Sequence, residues 1–437
     1  MIKNHTARPV AERCIPPFIL KHYKEVLENS AKIEGRMTTP TYCHDLNTIA
    51  EQVKFINRAM PDGTRMYVPL FTVGLPPLVA ECDKLIANGG ILCNTLDEVN
   101  ILMAYAHSKP EQLMLKPERI IVTSSGIPSE DLAVLARQKI YVNLDSRGQL
   151  DTFALEGGRE CGLRVQLDIE PPPGTRVPAI GAESTIGIPV QDVAESIRQA
   201  EKNCVIITGL HIYPGTNILD YRENLKIVDH FIEFIKTIPA EFRKRLKTIN
   251  IGGGFGIDYG GSQSDFDFVS YGMEIRGRLE LLKNICSAGT ELAIEPGRSI
   301  FAKAGVLLTR VVDVKGRKDR QVVNVDASCT QFSRYWIYGI NHPIVAVEKL
   351  DEELALDSIV RGYSTLRADV LGEAKFPSSL APGDPIMVLF AGAYGYSMSG
   401  SNYLGKLRPS AWLVKNDEIH LIARRQTLED VTRLFVT

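Results

Sequence analysis

The run Thr248-Ile-Asn-Ile-Gly-Gly-Gly-Phe-Gly256 joins an apolar strand to a turn and holds four glycines in nine residues. Backbone without a Cβ takes φ > 0 freely and lets a ligand come close. Successive exposed N–H groups form a concave site for an anion, most often phosphate. A tight βα turn is the plainer reading of the same glycines. Downstream, Ala293-Ile-Glu-Pro-Gly-Arg298 ends a second apolar run with a carboxylate, Glu295, and a guanidinium, Arg298. Two later stretches, Asp326–Gly339 and Ala391–Tyr403, mix aromatics with Gly and Ser. That mixture fits loops that line a ligand, with packed Ω-loops as the alternative.

Elements must exist to position these groups, and the chain has a rhythm that supplies them. Short apolar runs recur at Met66–Phe71, Ile91–Thr95, Arg119–Thr123, Ile140–Asp145, Leu163–Ile169, Gly209–Pro214, Thr248–Gly254 and Leu292–Gly297. Amphipathic stretches such as Leu96–Ala106, Val190–Lys202 and Tyr221–Ile238 lie between them. Strands alternating with helices in this number predict a (β/α)8 barrel, although periodicity alone does not exclude a doubly wound sheet. In a barrel the glycines follow the seventh strand and Glu295 and Arg298 the eighth, where phosphate is often held.

Ahead of the barrel, a helix is expected around Phe18–Ala31 and a short strand at Pro40–His44. Asp45 opens a helix with Leu46, Ile49, Val53 and Ile56 on one face. After Arg298 the pattern changes to short alternating strands at Gly305–Val314, Arg320–Asp326, Pro385–Phe390 and Ala411–Val414, a β-rich second domain. The division expected is an N-terminal segment, 1–37, packing with the β-domain; a barrel, 38–299; and a C-terminal β-domain, 300–437.

Composition bounds the setting. The 437 residues, 44% hydrophobic and 23% charged, exceed one compact core and suit a large domain plus a smaller one. A net charge of −2 gives no electrostatic reason to expect nucleic acid or an anionic membrane. No apolar run approaches the length of a membrane span, and the N-terminus has no signal-peptide pattern. Eight scattered cysteines without metal-ligand spacing predict reduced, buried thiols, no metal and a cytoplasmic protein.

At this point the chain resembles the fold-type III pyridoxal-phosphate decarboxylases, the family of diaminopimelate and ornithine decarboxylases. Thr39-Pro-Thr-Tyr-Cys-His-Asp-Leu46 is similar to the family's entry strand. Gly209-Leu-His-Ile-Tyr-Pro-Gly-Thr216 is similar to its His-x-His segment. Ile251-Gly-Gly-Gly-Phe255, Glu295-Pro-Gly-Arg298 and Gly392-Ala-Tyr-Gly-Tyr-Ser-Met-Ser399 match its motifs nearly letter for letter. Asp326-Ala and Arg334-x-x-x-Tyr-Gly339 fit its C-terminal substrate loop. The resemblance implies an N-terminal barrel on a C-terminal β-domain, with an active site where two subunits of a dimer meet.

It also implies roles. Gly252, Gly253, Gly254, Thr216 and Tyr394 would hold the cofactor phosphate, with Arg298 on the same side. Glu295 would face the pyridine nitrogen and keep it protonated. His211 matches the family's first His, and Tyr213 stands where a stacking His is usual. Arg334 and Tyr338 would face the carboxylate of an amino-acid-like substrate.

The first barrel strand departs from the family's Tyr-Ala-Val-Lys-Ala-Asn, reading Met66-Tyr-Val-Pro-Leu-Phe-Thr-Val-Gly74. The lysine position falls on Leu70 or Val73 according to the alignment, and the nearest lysine, Lys84, belongs to the next helix. Thr365 replaces the family's proton-donating cysteine, Leu366 the acid that binds a distal amine, and Leu92 an acidic residue after strand two. Pyridoxal phosphate would therefore bind without a covalent anchor. The expectation is a divergent decarboxylase-like homodimer that binds pyridoxal phosphate or another phosphorylated ligand and does atypical chemistry. The alternatives are an inactive homologue pairing with an active paralogue and a decarboxylase with a displaced lysine.

Overall fold

The computed structural model describes residues 14–34, 39–111, 113, 115–171, 180–181, 184–317, 320–400 and 402–436. Residues 1–13 and 35–37 of the expected N-terminal segment, residue 38 of the expected barrel, and Ser401 of the 391–403 loop lie outside them.

The chain enters through the helix Pro17–Glu34 and strand β1 (Thr41–Asp45), then turns into the helix Leu46–Ala59. Asp45 caps that helix, its carboxylate accepting from the Asn47 N–H at 2.9 Å and the Thr48 hydroxyl at 2.7 Å. Ile49, Val53, Ile56 and Ala59 form its buried face. Burial of each of the three larger side chains contributes roughly 1.5–3 kcal/mol.

Eight parallel strands then close a barrel in the order β2 (Arg65–Pro69), β3 (Gly89–Cys93), β4 (Ile120–Thr123), β5 (Tyr141–Leu144), β6 (Glu160–Gln166), β8 (Ile206–His211), β9 (Thr248–Asn250) and β10 (Glu291–Ile294). The two-residue β7 (Ile188–Pro189) adds to the end of β6. Closure is made where Ala293 and Ile294 of β10 pair with Arg65 and Met66 of β2. The strands are buried on both faces, which is why they read as unbroken apolar runs. Several boundaries differ from the sequence reading: β8 starts at Ile206 rather than Gly209, and β9 ends at Asn250 rather than Gly254. β2 stops at Pro69, and residues 70–73 form a helical turn closed by Gly74 at φ 64°. β6 starts at Glu160, ahead of the apolar run expected from Leu163.

The second sheet runs β15 (Val370–Phe376), β14 (Leu356–Gly362), β12 (Arg320–Val325), β11 (Gly305–Arg317), β1, β17 (Ser410–Lys415) and β18 (Glu418–Ala423). β16 (Pro385–Val388) pairs with β11 and with β13 (Ile344–Ala346). β1 is thus a strand of this sheet, antiparallel to β11 and parallel to β17. The helix Pro17–Glu34 packs Ile19, Tyr23, Val26 and Leu27 on its face, against Val306, Leu308, Trp412 and Val414. All eight cysteines are free thiols; Cys204 is exposed and Cys14 half-buried, so the expectation of buried thiols holds for six. No described helix is long and apolar enough to cross a membrane.

Candidate functional site

Because the barrel strands are parallel, their C-terminal ends share one mouth. A cavity of about 240 Å3 occupies it. Backbone register builds its floor: Arg164 on β6 pairs with His211 on β8, and His211 with Asn250 on β9. Glu295 follows directly after β10. Its carboxylate is 3.3 Å from His211 Nε2 and accepts a hydrogen bond of 2.8 Å from Asn250 Nδ2. Burial alone would raise the Glu295 carboxyl. His211, Asn250 and the charge of Arg164 outweigh it and hold the group below its ordinary value. The floor is a buried, ionised carboxylate.

Asn250 has a second task. Its Oδ1 accepts from the Gly252 N–H at 2.9 Å and so fixes the start of the glycine turn. The N–H groups of Gly253 and Gly254 find no acceptor among the described residues. A Cβ at Gly253 would stand 2.4 Å from the Glu295 carbonyl oxygen. One at Gly254, where φ is +86°, would stand 2.1 Å from that of Gly215. Only glycine fits here. Gly254 lines the cavity, whereas Gly252 and Gly253 stand behind it. Tyr213 and Thr216, whose hydroxyls are 2.9 Å apart, form the adjoining wall. Burial, reinforced by Tyr394, pushes the Tyr213 phenol up to about 12, so it stays neutral.

Tyr394 reaches the cavity from the second domain in a left-handed conformation, φ 62°. Its N–H donates to the Thr72 carbonyl at 2.7 Å, which ties the 391–403 loop to the barrel. The Arg298 guanidinium lies 4.8 Å from the Tyr394 ring centre and donates to the Tyr259 hydroxyl at 2.9 Å. Arg334 lies on the same ring at 5.4 Å and on that of Tyr338 at 5.1 Å. Neither Arg334 nor Tyr338 lines the cavity itself. Arg334 is 3% exposed, and its Nε and one Nη have no partner among the described residues. Burial pulls its guanidinium below the ordinary range. A buried cation without a counter-ion is a ready receptor for a carboxylate.

Strand β2 directs the two aligned lysine positions away from the cavity. Neither Leu70 nor Val73 faces the cavity; both are buried in the main core. The pleat alternates, so the residues directed inward are Tyr67 and Pro69, with Phe71 continuing that side beyond the strand end. Pro69 and Phe71 line the cavity together with Leu92. No lysine does so among the described residues. Lys84 pairs instead with Glu81 at 2.9 Å. Thr365 and Arg367 are exposed on the second domain and are absent from the lining. Their loop is fixed by Asp369, which accepts from the Ser364 hydroxyl at 2.5 Å and from the Cys329 N–H at 2.7 Å.

Arg164, Asn94, Thr123 and Asn217 also line the cavity and were missed from the sequence. Arg164 carries a usable signal, a lone cation inside the apolar run Leu163–Ile169. Asn250 reads in the sequence only as part of the strand. Directly below lies an apolar plug of Tyr67, Leu92, Ile121 and Ala293. Beyond it a larger cavity, about 510 Å3, opens at the opposite end of the barrel.

The donor set addresses two ends of a ligand: a basic ring nitrogen at Glu295 and an anion at Arg298 and the glycine turn. It fits pyridoxal phosphate. Residues 46–302 match the family model of the pyridoxal-dependent decarboxylases, pyridoxal binding domain. The chain is 32% identical over 311 residues to the diaminopimelate decarboxylase of Archaeoglobus fulgidus, covering 69% of this chain and 72% of that one. It is 26% identical over 430 residues to that of Aquifex aeolicus, covering 94% and 97%. Among solved structures, Helicobacter pylori diaminopimelate decarboxylase complexed with L-lysine superposes with a TM-score of 0.80 at 23% identity, over 93% of this chain and 99% of the other. The Vibrio vulnificus lysine/ornithine decarboxylase complexed with putrescine gives 0.72 at 17% identity, over 92% and 100%.

Proposed function

The chain belongs to the pyridoxal-dependent decarboxylase family. From that premise we propose a protein that holds pyridoxal phosphate without a covalent anchor and acts on an amino-acid-like carboxylate. The observation that carries this reading is a cavity with Glu295, Arg298, Gly254 and Tyr394 in its described lining and no lysine. When bound, the pyridoxal ring supplies an electron sink for a carbanion. The Glu295 carboxylate keeps the ring nitrogen protonated, with Asn250 and His211 fixing its position. Arg298, the Gly254 N–H and the Thr216 and Tyr394 hydroxyls take the phosphate. Tyr213 packs against the ring face.

Arg334, with Tyr338 beside it, binds the substrate carboxylate through its unpartnered N–H groups. Leu366 occupies the place where the family pattern has an acid, and Arg367 follows it. An ammonium at the far end of the substrate therefore meets no counter-ion, and the substrate class proposed is a carboxylate without a distal amine. The assembly proposed is a homodimer, since Thr365 and Arg367 need a second copy to reach a cavity. Exposed Trp336 and Ile337, next to Arg334, offer apolar surface for that copy. The eight free thiols favour a cytoplasmic setting.

A second reading, an inactive homologue that pairs with an active paralogue, draws support from Thr365 and Leu366, which can supply neither a thiol nor a carboxylate. A displaced lysine is less favoured, because Lys84 is engaged with Glu81. The test is to load the protein with pyridoxal phosphate, remove the excess, record the visible spectrum, reduce with borohydride and search for a pyridoxyl-peptide by mass spectrometry. Retained cofactor without an adduct is the expected result. An adduct on any lysine overturns the non-covalent reading, and no retention leaves the inactive homologue.

A further inference from the structure

We infer that the cavity accepts the amine and alcohol forms of the cofactor as readily as the aldehyde, so that it is a reversible site for the phosphorylated hydroxymethylpyridines as a class. This rests on the cofactor reading given above and extends it to the question of which form is held.

An aldehyde is singled out from an alcohol or an amine by a nucleophilic amine that adds to it. The described lining offers none. Its side-chain nitrogens belong to Asn94, Arg164, His211, Asn217 and Arg298. Amide nitrogens are not nucleophiles, and guanidinium groups stay protonated. His211 is 1% exposed and directs Nε2 at Glu295. Two lysines outside the lining are engaged elsewhere: Lys84 pairs with Glu81, and Lys406 sits 3.1 Å above the Tyr363 ring.

What remains to recognise the ligand is common to all three forms. Arg298 and the glycine turn address the phosphate, and Glu295 addresses the ring nitrogen. Both features survive when the aldehyde is reduced or aminated. Between the two ends the cavity presents Pro69, Phe71 and Leu92, whose side chains form no hydrogen bond. Asn94 and Thr123, also in the lining, carry groups that both donate and accept. A carbonyl, a hydroxyl and an ammonium can each be matched by such groups, so this stretch of the wall favours none of the three.

The experiment is a calorimetric titration of the dialysed full chain in phosphate-free buffer. The probes are pyridoxal phosphate, pyridoxamine phosphate, pyridoxine phosphate and, as a control, unphosphorylated pyridoxine. The expected result is three dissociation constants within about tenfold of one another, a spread of about 1.4 kcal/mol, and much weaker binding of pyridoxine. Pyridoxal phosphate binding more than about tenfold tighter than both other phosphates overturns the inference while leaving the cofactor reading intact. Pyridoxine binding as tightly as the phosphates overturns the phosphate anchoring on which the inference depends. If none of the three phosphates binds, the cofactor reading fails with it.

Discussion

Arg298 and Arg334 share one aromatic ring: their guanidinium carbons stand 4.8 Å and 5.4 Å from the centre of Tyr394. The first also has a hydrogen bond to Tyr259, whereas the second is buried with Nε and one Nη unmatched. Replacing a buried ion pair by apolar side chains of similar volume is often neutral or stabilises a protein by about 1–4 kcal/mol, and Arg334 has no counter-ion among the described residues to offset its desolvation. Arg334→Met should therefore raise the urea midpoint while weakening binding of a carboxylate substrate analogue at least tenfold, the scale of a charge-assisted hydrogen bond. A variant that loses stability and keeps its affinity would remove the assignment of Arg334.

Glu295 sets the second expectation. Its folded value lies below the ordinary carboxyl value, so its contribution to stability is present above about pH 4.5 and is lost as pH falls through the folded value. Between pH 5 and 8 cofactor affinity should be flat as far as this group is concerned. Glu295→Gln should reduce it by about tenfold or more at pH 7, from loss of a charged hydrogen bond. Asn250→Leu should cost both affinity and stability, because one amide holds Glu295 and Gly252 together. Equilibrium dialysis and thermal melts separate the two effects.

Strand β2 yields a gain-of-function test. Pro69→Lys puts an amine on the inward side and should produce a borohydride-fixed pyridoxyl adduct. Leu70→Lys puts the charge into a site 2% exposed in the main core, and should lower stability by several kcal/mol without forming an adduct. Mass spectrometry of both variants decides whether the inward position has been identified.

The glycine turn is brittle for a local reason. Gly254→Ala combines a left-handed φ of +86° with a Cβ placed 2.1 Å from a carbonyl oxygen. A loss of roughly 2–4 kcal/mol in unfolding free energy is expected, with loss of phosphate binding. Competition by inorganic phosphate gives the second readout.

Two buried histidines predict acid sensitivity. Burial lowers His44 to about 4 and His342 to about 3. For His342 the nearby Arg334 and Arg298 act in the same direction, while the hydrogen bond to the Leu389 carbonyl opposes it. Unfolded histidine binds its proton near pH 6.5, so the unfolded state carries more protons below that value and stability falls as pH drops. Each group adds a slope of up to about 1.4 kcal/mol per pH unit between pH 6.5 and its folded value. Urea midpoints from pH 7.5 to 5 should show the decline, and His44→Gln should reduce its slope.

How much of this was legible in the sequence varies along the chain. The barrel strands announce themselves because parallel strands buried on both faces are continuous apolar runs. In the second domain β14 and β18 did not, since Asp357, Arg361, Glu418 and His420 interrupt them and their faces are only half covered. The same limit applied in the site. Gly254, Glu295 and Arg298 stand out as residue types in context. Arg164 and Asn250 gain their meaning from cross-strand register with His211, which no single segment contains. Neither Leu70 nor Val73 could be placed from sequence, because one residue of phase in a strand reverses which side a residue faces, and it is Pro69 that lines the cavity.

One feature of the architecture bears on how the molecule is made. β1 sits between β11 and β17, and Thr41 bonds to Ser410 across 369 residues of chain. At about 5–20 residues per second on the ribosome, β1 waits roughly 20–70 s for its last neighbour while the barrel between them can already close. For that interval a nascent chain displays an unpaired, fully buried-type strand edge. Yield of this protein in cells should therefore respond to chaperone supply during synthesis more than to the final stability of the fold.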